Sequence, residues 1–351
     1  MTTLIAGGGI AGAAAACLLG SEAMLFEREQ GCHDKVCGEF ISWEACDNLV
    51  RLGLDLPSLR GVPINAVRLV HGRRSVVATL PRPGLGLSRR QLDVALLDLA
   101  AARGARIHQG AAVRRLASAG LEVDGIGFVP GHRVFLATGK HDLRGVPRPP
   151  PGRPLVGFKT HLRLAPGERE ALDGHVEVIL FPGGYAGLQP VEGGRANLCL
   201  LIRQDLLGEL GGRWAAVLGH LRRHSPHLDG RLFGAQHLLD RPLSVARIPY
   251  GFVHGTGTTD FVYRLGDQMA VIPSFSGDGM AIALHTAFAA VRPGPIPFHA
   301  AMRRTLRGQI SRAMILHRLG QTHPAWLVRA ASLWPGALAA VARLTRVAAE
   351  A

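Results

Sequence analysis

Thr3-Leu4-Ile5-Ala6-Gly7-Gly8-Gly9-Ile10-Ala11-Gly12-Ala13-Ala14-Ala15-Ala16-Cys17-Leu18-Leu19 decides the fold. The first four residues are a short apolar run, the glycines interrupt it, and the alanine-rich remainder has helix-forming composition. The order is strand, glycine turn, helix. Gly7, Gly9 and Gly12 match G-x-G-x-x-G, in which the first glycine permits the tight turn, the second lets a pyrophosphate approach the backbone, and the third packs helix against strand. The unpaired N–H groups of the helix start then face the phosphates. A second apolar run, Ala23-Met24-Leu25-Phe26, ends in Glu27, close to the spacing at which a carboxylate takes ribose hydroxyls. A structural glycine turn would explain the motif alone. Strand, helix and acid together point to a dinucleotide.

Outward from this unit, Val36-Cys37-Gly38-Glu39-Phe40 follows a polar, turn-rich stretch. The glycine admits a flat ligand to the backbone, and Cys37 either packs against that ligand or is a small buried residue at a turn. Residues 43 to 52 read as a helix, and Ala66–Val70 with Ser75–Leu80 as a β-hairpin inserted between the nucleotide half-motifs. Ser88 caps an amphipathic helix running to Ala100. Arg89 in its first turn opposes the helix dipole, which points to service to a ligand or to a solvated surface residue. Ala105–His108 gives a third parallel strand, residues 111 to 129 a small antiparallel meander, and His132–Gly139 a buried strand aimed at the dinucleotide crevice.

A proline-dense segment from Pro147 to Pro154 reads as a rigid crossing. Beyond it, alternating runs at 155–162, 175–181, 185–190 and 196–202 predict antiparallel strands of a second sheet able to roof a cavity. Lys159 and His161, alternating on the first of these, face either cavity or solvent. Tyr185 and Gln189 are polar wall candidates. Helices follow near 205–223 and a strand at 244–249. Then Phe261 to His285 returns to a strand ending at Gly266-Asp267, a Gly/Ser loop, and a small-residue helix beginning near Gly279, a second anion-receiving helix start. From 296 onward the pattern is helical and amphipathic, a packed layer in preference to a membrane-binding helix.

The 351 residues suffice for a large core in two domains or one large one. A formal charge of +14 comes almost wholly from arginine, because Lys35, Lys140 and Lys159 are the only lysines. The arginines are dispersed and aromatics make up 5%, which disfavours nucleic acid and suits anionic substrates, acyl carriers or lipid headgroups. Five cysteines without a CxxC pair predict a reduced, cytoplasmic setting. There is no signal-like N-terminus and no run of eighteen apolar residues, so membrane contact is expected to be peripheral at most. No metal site is expected.

Three motifs in order, GGGIAG with Glu27, the helix opening LSRRQLD, and GDQMAVIPSFSGDGMAIAL, resemble the FAD-dependent superfamily of p-hydroxybenzoate hydroxylase, flavin-dependent halogenases and geranylgeranyl reductases. The resemblance implies an α/β fold: a Rossmann-like FAD-binding domain (1–150 and 244–295), an inserted antiparallel β-sheet substrate domain (151–243) and a C-terminal helical segment (296–351). It places Gly7, Gly9, Ile10, Ala11 and Gly12 at the FAD pyrophosphate, Glu27 and Arg28 at the adenosine ribose, Arg89 along the cofactor, and Val113 at the adenine. Thr138, Gly139, Gly266 and Asp267 would border the pyrophosphate and ribityl region, and Gly277, Asp278, Gly279 and Met280 the isoalloxazine.

The geranylgeranyl reductase branch is the most similar, through Lys35-Val36-Cys37-Gly38-Glu39 and Gly184-Tyr185-Ala186-Gly187-Leu188-Gln189-Pro190. Cys37, Gly38 and Tyr185 are thereby the candidate catalytic, substrate-side residues. Gly187 and Gln189 replace the tryptophan and phenylalanine of the GYxWxFP motif, so a reshaped cavity is expected. The paired tryptophans of halogenases are absent. So is the hydroxylases' Asp-Gly pair after the lobe-closing strand, associated with pyridine nucleotide use; the expected electron donors are therefore a separate reductase or the substrate itself beside NAD(P)H. The expected activity is flavin-mediated reduction or dehydrogenation of a C=C/C–C bond in a hydrophobic or anionic, possibly carrier-tethered or lipid-like, small molecule. The alternatives are a monooxygenase, a non-catalytic flavin-holding or carrier-binding protein, and a simple two-lobe NAD-dependent dehydrogenase, against which the late Gly266-Asp267 motif argues.

Overall fold

The computed structural model describes residues 2–150, 152, 154–255, 261–291, 295–334, 336 and 346. Part of the proline-dense crossing and most of the chain after 334 lie outside the described residues.

Five short strands form a parallel sheet in the order β17-β10-β1-β2-β6. They are β1 (Thr3–Ala6), β2 (Ala23–Glu27), β6 (Arg106–Gln109), β10 (Arg133–Leu136) and β17 (Val262–Arg264). The chain leaves β1 towards β2 and β6, then returns to the other side of β1 for β10 and β17. The switch point therefore lies between β1 and β10, the place where open α/β sheets receive ligands at their carboxyl ends. Helix α1 (Ile10–Leu19) is apolar on all sides and buried from Ile10 to Cys17, as a helix enclosed by neighbours must be. It packs between α3 (Arg89–Ala102) and α8 (Gly279–Ala290), with α2 (Trp43–Arg51) also against α8.

The second sheet holds nine strands among the described residues. Its centre is β11 (Leu155–Arg163), β14 (Arg195–Arg203), β13 (Gly184–Val191) and β12 (His175–Phe181), all antiparallel. The hairpin β4 (Val62–His71) and β5 (Arg74–Gly86) joins this sheet through a parallel β4–β12 pairing, with β3 (Phe40–Ile41) at the edge. On the far edge, β15 (Gln236–His237) and β16 (Leu243–Ala246) both pair with β11. One sheet face is covered by an apolar cluster with α4 (Pro166–Leu172), α5 (Gln204–Glu209), α6 (Trp214–His224) and α7 (Pro226–Arg231). The other faces the parallel-sheet lobe. The meander β7 (Val113–Ala117), β8 (Gly120–Val123) and β9 (Gly127–Pro130) forms a third sheet, and α9 (Pro295–Thr322) with α10 (Pro324–Leu333) closes the structure. Among the described residues no helix is long and apolar enough to cross a membrane.

Candidate functional site

The switch point is built by missing side chains. Gly7 has φ 106°, and a Cβ there would stand 2.5 Å from the Ala137 carbonyl oxygen just beyond β10. A Cβ on Gly12 would stand 1.9 Å from the Gly7 carbonyl oxygen, so α1 rests directly on the turn. Gly9 ends the turn with neither a side-chain cap nor an acidic residue in the first turn of α1, leaving that helix start open to an anion. Glu27 is buried and already shaped by the turn: Oε2 accepts from Gly8 N at 2.7 Å and Oε1 from Glu29 N at 3.1 Å.

From here a cleft runs between the two lobes. It passes Gly9, Ile10, Ala11, Arg89, Gly139, Lys140, Gly266 and Asp267, and ends between Cys37-Gly38-Glu39 and Gly277, Gly279 and Met280. A smaller recess lies past Gly8, Glu27, Lys35 and Gln109. Cβ atoms on Gly38, Gly139 and Gly279 would meet nothing within 4 Å, so three stretches of bare backbone border the empty space. The first turn of α8 turns its N–H groups to the same end.

Charges are set tightly around it. Arg89 pairs bidentately with Asp93 (2.8 and 2.9 Å), while Lys35 approaches Asp93 at 2.9 Å. Burial works against the Arg89 cation, but Asp93 and Cys37 outweigh it and hold its pKa above the ordinary value. Burial likewise opposes the Lys140 ammonium, and Asp267, 3.6 Å away, with Cys37 and Tyr250 raises it nonetheless. Buried Arg148 ties the two loops together, donating to Asp142 Oδ1 (2.6 Å), the Lys140 carbonyl (2.7 Å) and the Asp267 carbonyl (2.8 Å).

Several candidates sit apart from the cleft wall. Tyr185 lies one layer back: its hydroxyl meets the Tyr250 hydroxyl at 3.2 Å and accepts from Phe275 N at 3.2 Å, and Tyr250 is the residue at the wall. The Asp278 carboxylate is bonded to Gln309 (3.3 Å) and to Arg346 (2.6 Å), whose guanidinium stacks over Trp43. Burial pushes that carboxyl up to about 7 against the pull of Arg346. Arg28 is largely exposed, pairs with Glu29 at 3.0 Å and reaches the His141 ring at 3.3 Å. The Thr138 hydroxyl donates to the His141 carbonyl at 2.6 Å. Val113 begins the meander, two residues after Ala111, whose N–H is bonded to the Glu27 carbonyl at 2.9 Å.

Sequence reasoning passed over Lys140, Arg148, Tyr250 and Glu39 as site residues. Two signals were present: the scarcity of lysine in an arginine-rich chain, and the polar residues at alternate positions of β11 and β14. The Asn197 amide on β14 donates to the carbonyls of Cys37 (3.0 Å) and Gly38 (2.8 Å), fixing the turn at the cleft.

No protein-family model and no curated protein matches the chain. Solved structures do. The flavin-dependent brominase Bmp2 is similar with a TM-score of 0.81 at 17% identity, over 98% of this chain and 92% of that one. A geranylgeranyl bacteriochlorophyll reductase-like protein of Thermoplasma acidophilum gives 0.72 at 16%, over 93% and 87%. PqsL of P. aeruginosa, solved with 2-aminobenzoylacetate, gives 0.71 at 17%, over 92% and 97%. At these identities the likeness speaks to fold. This chain has the fold of these structures, the one expected from the resemblance of its sequence motifs.

Proposed function

We propose that the protein is an FAD-dependent oxidoreductase that reduces or dehydrogenates a C=C/C–C bond in a hydrophobic or anionic small molecule. The observation that carries it is the convergence on one cleft of three segments far apart in the chain: the Gly7–Gly12 turn, Gly266-Asp267 and the Gly277–Met280 turn. FAD, when bound, supplies the two-electron chemistry. The chain's own residues bind and shield. Gly9 to Gly12 and the start of α1 take the pyrophosphate, Glu27 the ribose, Arg89 and Lys140 balance phosphate charge, and the start of α8 favours negative charge on the ring. Cys37 and Gly38 form the substrate side, with Tyr185 positioning Tyr250. Val36, Phe40, Ile248 and Val271 supply apolar wall.

That apolar wall also favours a second reading, oxygen insertion, which needs water excluded from the cleft. Halogenation gains no support from likeness to a brominase, because the halogenase tryptophan pair is missing.

Reconstitution tests the cofactor: FAD is expected to bind stoichiometrically and yellow the protein, and failure to take up FAD overturns the proposal. Anaerobic mixing with NADH or NADPH, and then with oxygen, separates the two reactions. A slow-decaying oxygenated flavin spectrum supports insertion, and direct reoxidation supports reduction or dehydrogenation.

A further inference from the structure

Four ionisable groups meet beneath the Cys37-Gly38 turn. Glu39 and Lys159 are fully buried and His161 is 1% exposed. Glu39 Oε1 accepts from Lys159 Nζ at 2.5 Å and from the Arg89 N–H at the start of α3 at 2.7 Å. Its Oε2 meets His161 Nε2 at 2.8 Å. On the outer side Lys159 Nζ reaches Asp34 Oδ1 at 3.2 Å, and His161 Nδ1 lies 3.8 Å from the same oxygen. Asp34 is the member nearest solvent, its side chain 13% exposed. Glu39 itself borders the cleft.

Stability alone does not account for this group, since buried ion pairs are commonly matched or bettered by apolar residues of similar size. Glu39 also holds φ 62°, a left-handed conformation unusual for a non-glycine residue, and such strain gathers at functional positions. The carboxylates of Asp34 and Glu39 with the His161 ring are spaced to hold a metal ion, but the Lys159 ammonium stands between the two carboxylates and fills the cation's place. Lysine is the informative choice in a chain whose other basic residues, Lys35 and Lys140 apart, are arginine. A lysine's compact ammonium fits as a point charge between the two carboxylates and leaves Oε2 of Glu39 to His161, where an arginine's planar fork would claim both oxygens of one carboxylate.

The cluster extends across the sheet. His161 stands opposite Asn197, and Asn197 opposite Gln189. Gln189 and Asn197 are buried, and both amide atoms of Gln189 and Oδ1 of Asn197 find no protein partner, a polar row suited to bound water. Arg195 acts on Asp34 from β14, and Lys159 acts on the buried Cys199 thiol, its partner across the β11–β14 pairing.

We propose that Glu39, Lys159 and His161 are a proton-transfer unit serving the cleft, an inference that rests on the reading of that cleft as a flavin and substrate site. Glu39 exchanges a proton with the group bound against the Cys37-Gly38 turn. His161 exchanges it with Glu39 through Nε2 at 2.8 Å and with solvent through Nδ1, by way of a water bridging the 3.8 Å to Asp34, while Lys159 balances the carboxylate charge. One proton crosses, and each carrier finishes with the number it began with.

The test uses FAD-loaded, photoreduced protein and oxygen. Reoxidation of reduced anionic flavin by oxygen to hydrogen peroxide would require one proton beyond the one that flavin carries, and Glu39 with His161 would deliver it. Reoxidation is followed from about pH 5.5 to 8.5 in H2O and D2O, with proton uptake during photoreduction read by an indicator dye. Wild type is expected to show a solvent isotope effect and a pH-dependent limb. Glu39→Gln and His161→Asn are expected to slow reoxidation by about a hundredfold and to abolish the limb at unchanged FAD content. Asp34→Asn, at the solvent end and away from the cofactor, is expected to slow dye-detected uptake even if the inner variants lose FAD. Unchanged pH profiles, isotope effects and uptake in all the variants that bind FAD would make the cluster a clamp and overturn the proposal. Absence of FAD binding in wild type would instead overturn the cofactor reading, and the unit is then judged in apoprotein by NMR of His161. A ring titration indifferent to Glu39→Gln and Asp34→Asn ends it there.

Discussion

Gly9→Ala and Gly12→Ala, three residues apart in one turn, should fail in different ways. At Gly12 the new Cβ would lie 1.9 Å from the Gly7 carbonyl oxygen and 3.2 Å from Ala137 Cβ. Real contacts stop near 3.0 Å, so α1 has to move by about an ångström, and the atom it strikes is backbone that cannot swing aside. Overpacking of this kind costs about 1–3 kcal/mol, and rigidity puts this case at the upper end. The same movement draws the helix start away from the phosphates, at a further loss of about 1–3 kcal/mol in charge-assisted hydrogen bonds. At Gly9 the Cβ would meet Arg89 Nη2 at 3.4 Å and Lys35 Nζ at 3.9 Å, ordinary contacts with flexible ends. Gly9→Ala should therefore melt within a degree or two of wild type while its methyl occupies the place proposed for the pyrophosphate. Differential scanning fluorimetry of the apoproteins and FAD titration by flavin fluorescence decide the matter. Gly12→Ala should lose several degrees and about a hundredfold or more in FAD affinity, and Gly9→Ala about tenfold or more in affinity alone. Wild-type FAD affinity in Gly9→Ala would refute the placement of the phosphates, whatever the behaviour of Gly12→Ala.

Two buried carboxyls should give opposite pH signatures. Burial would raise Glu177, but His227 and Arg231 lower it to about 2, so its contribution is present above its ordinary 4.5 and lost as pH falls towards 2. That is about 3 kcal/mol, and urea titrations should show the loss in wild type and not in Glu177→Gln; parallel curves would count against it. Asp278, raised from 3.8 to about 7, favours the fold when protonated and weakens it as pH rises across that interval. The stability of Asp278→Asn relative to wild type should thus improve by about 3 kcal/mol between pH 4 and 7, and an unchanged difference would refute the burial argument. Removal of the Asn197 amide leaves the Cys37 and Gly38 carbonyls without their donor. In a Cys32→Ser background, Asn197→Ala should cost about 1–3 kcal/mol and speed labelling of Cys37 by a thiol reagent, and equal labelling rates would dismiss the clamp.

Periodicity made most elements legible, and pairing across long separations hid the rest. The hairpin at 62–86 announces itself by two alternating runs, yet nothing in them says that β4 will lie parallel to β12 in the second sheet, Ala66 opposite His175. Asp278 belongs by motif to the flavin end, but its carboxylate is claimed by Arg346, 68 residues on. Glu39 looked like the tail of a cysteine-glycine motif because its partners Lys159 and His161 are 120 and 122 residues away. Arg89 shows the opposite case. Its conflict with the dipole of α3 was readable locally, and the resolution is partly local too: Asp93 one turn later neutralises it, while Glu39 takes its N–H and Glu192 the Ser88 N–H at 2.8 Å.

One contact argues for a long cofactor over a single nicotinamide dinucleotide on a simple two-lobe frame. Gly266 adopts φ 54°, and a Cβ there would lie 3.2 Å from Ala11 Cβ and 3.5 Å from Ala283 Cβ. The late turn is thus seated on the first residues of α1 and on α8 at once, and its N–H is anchored to the Thr286 hydroxyl at 2.9 Å. A frame that only had to hold a pyrophosphate at the first glycine turn would gain nothing from bringing a second turn against it, with Asp267 at the cleft beside Lys140. The arrangement makes sense for a ligand that continues past the phosphates, along the Gly266-Asp267 backbone, to a flat group between Cys37-Gly38 and Gly279. Substitution of Gly266 by alanine, strained by its positive φ and tight against Ala11, should then weaken FAD and leave binding of the adenosine half alone nearly unchanged, as read by competition with ADP. Equal losses for FAD and ADP would place the turn at the phosphates only.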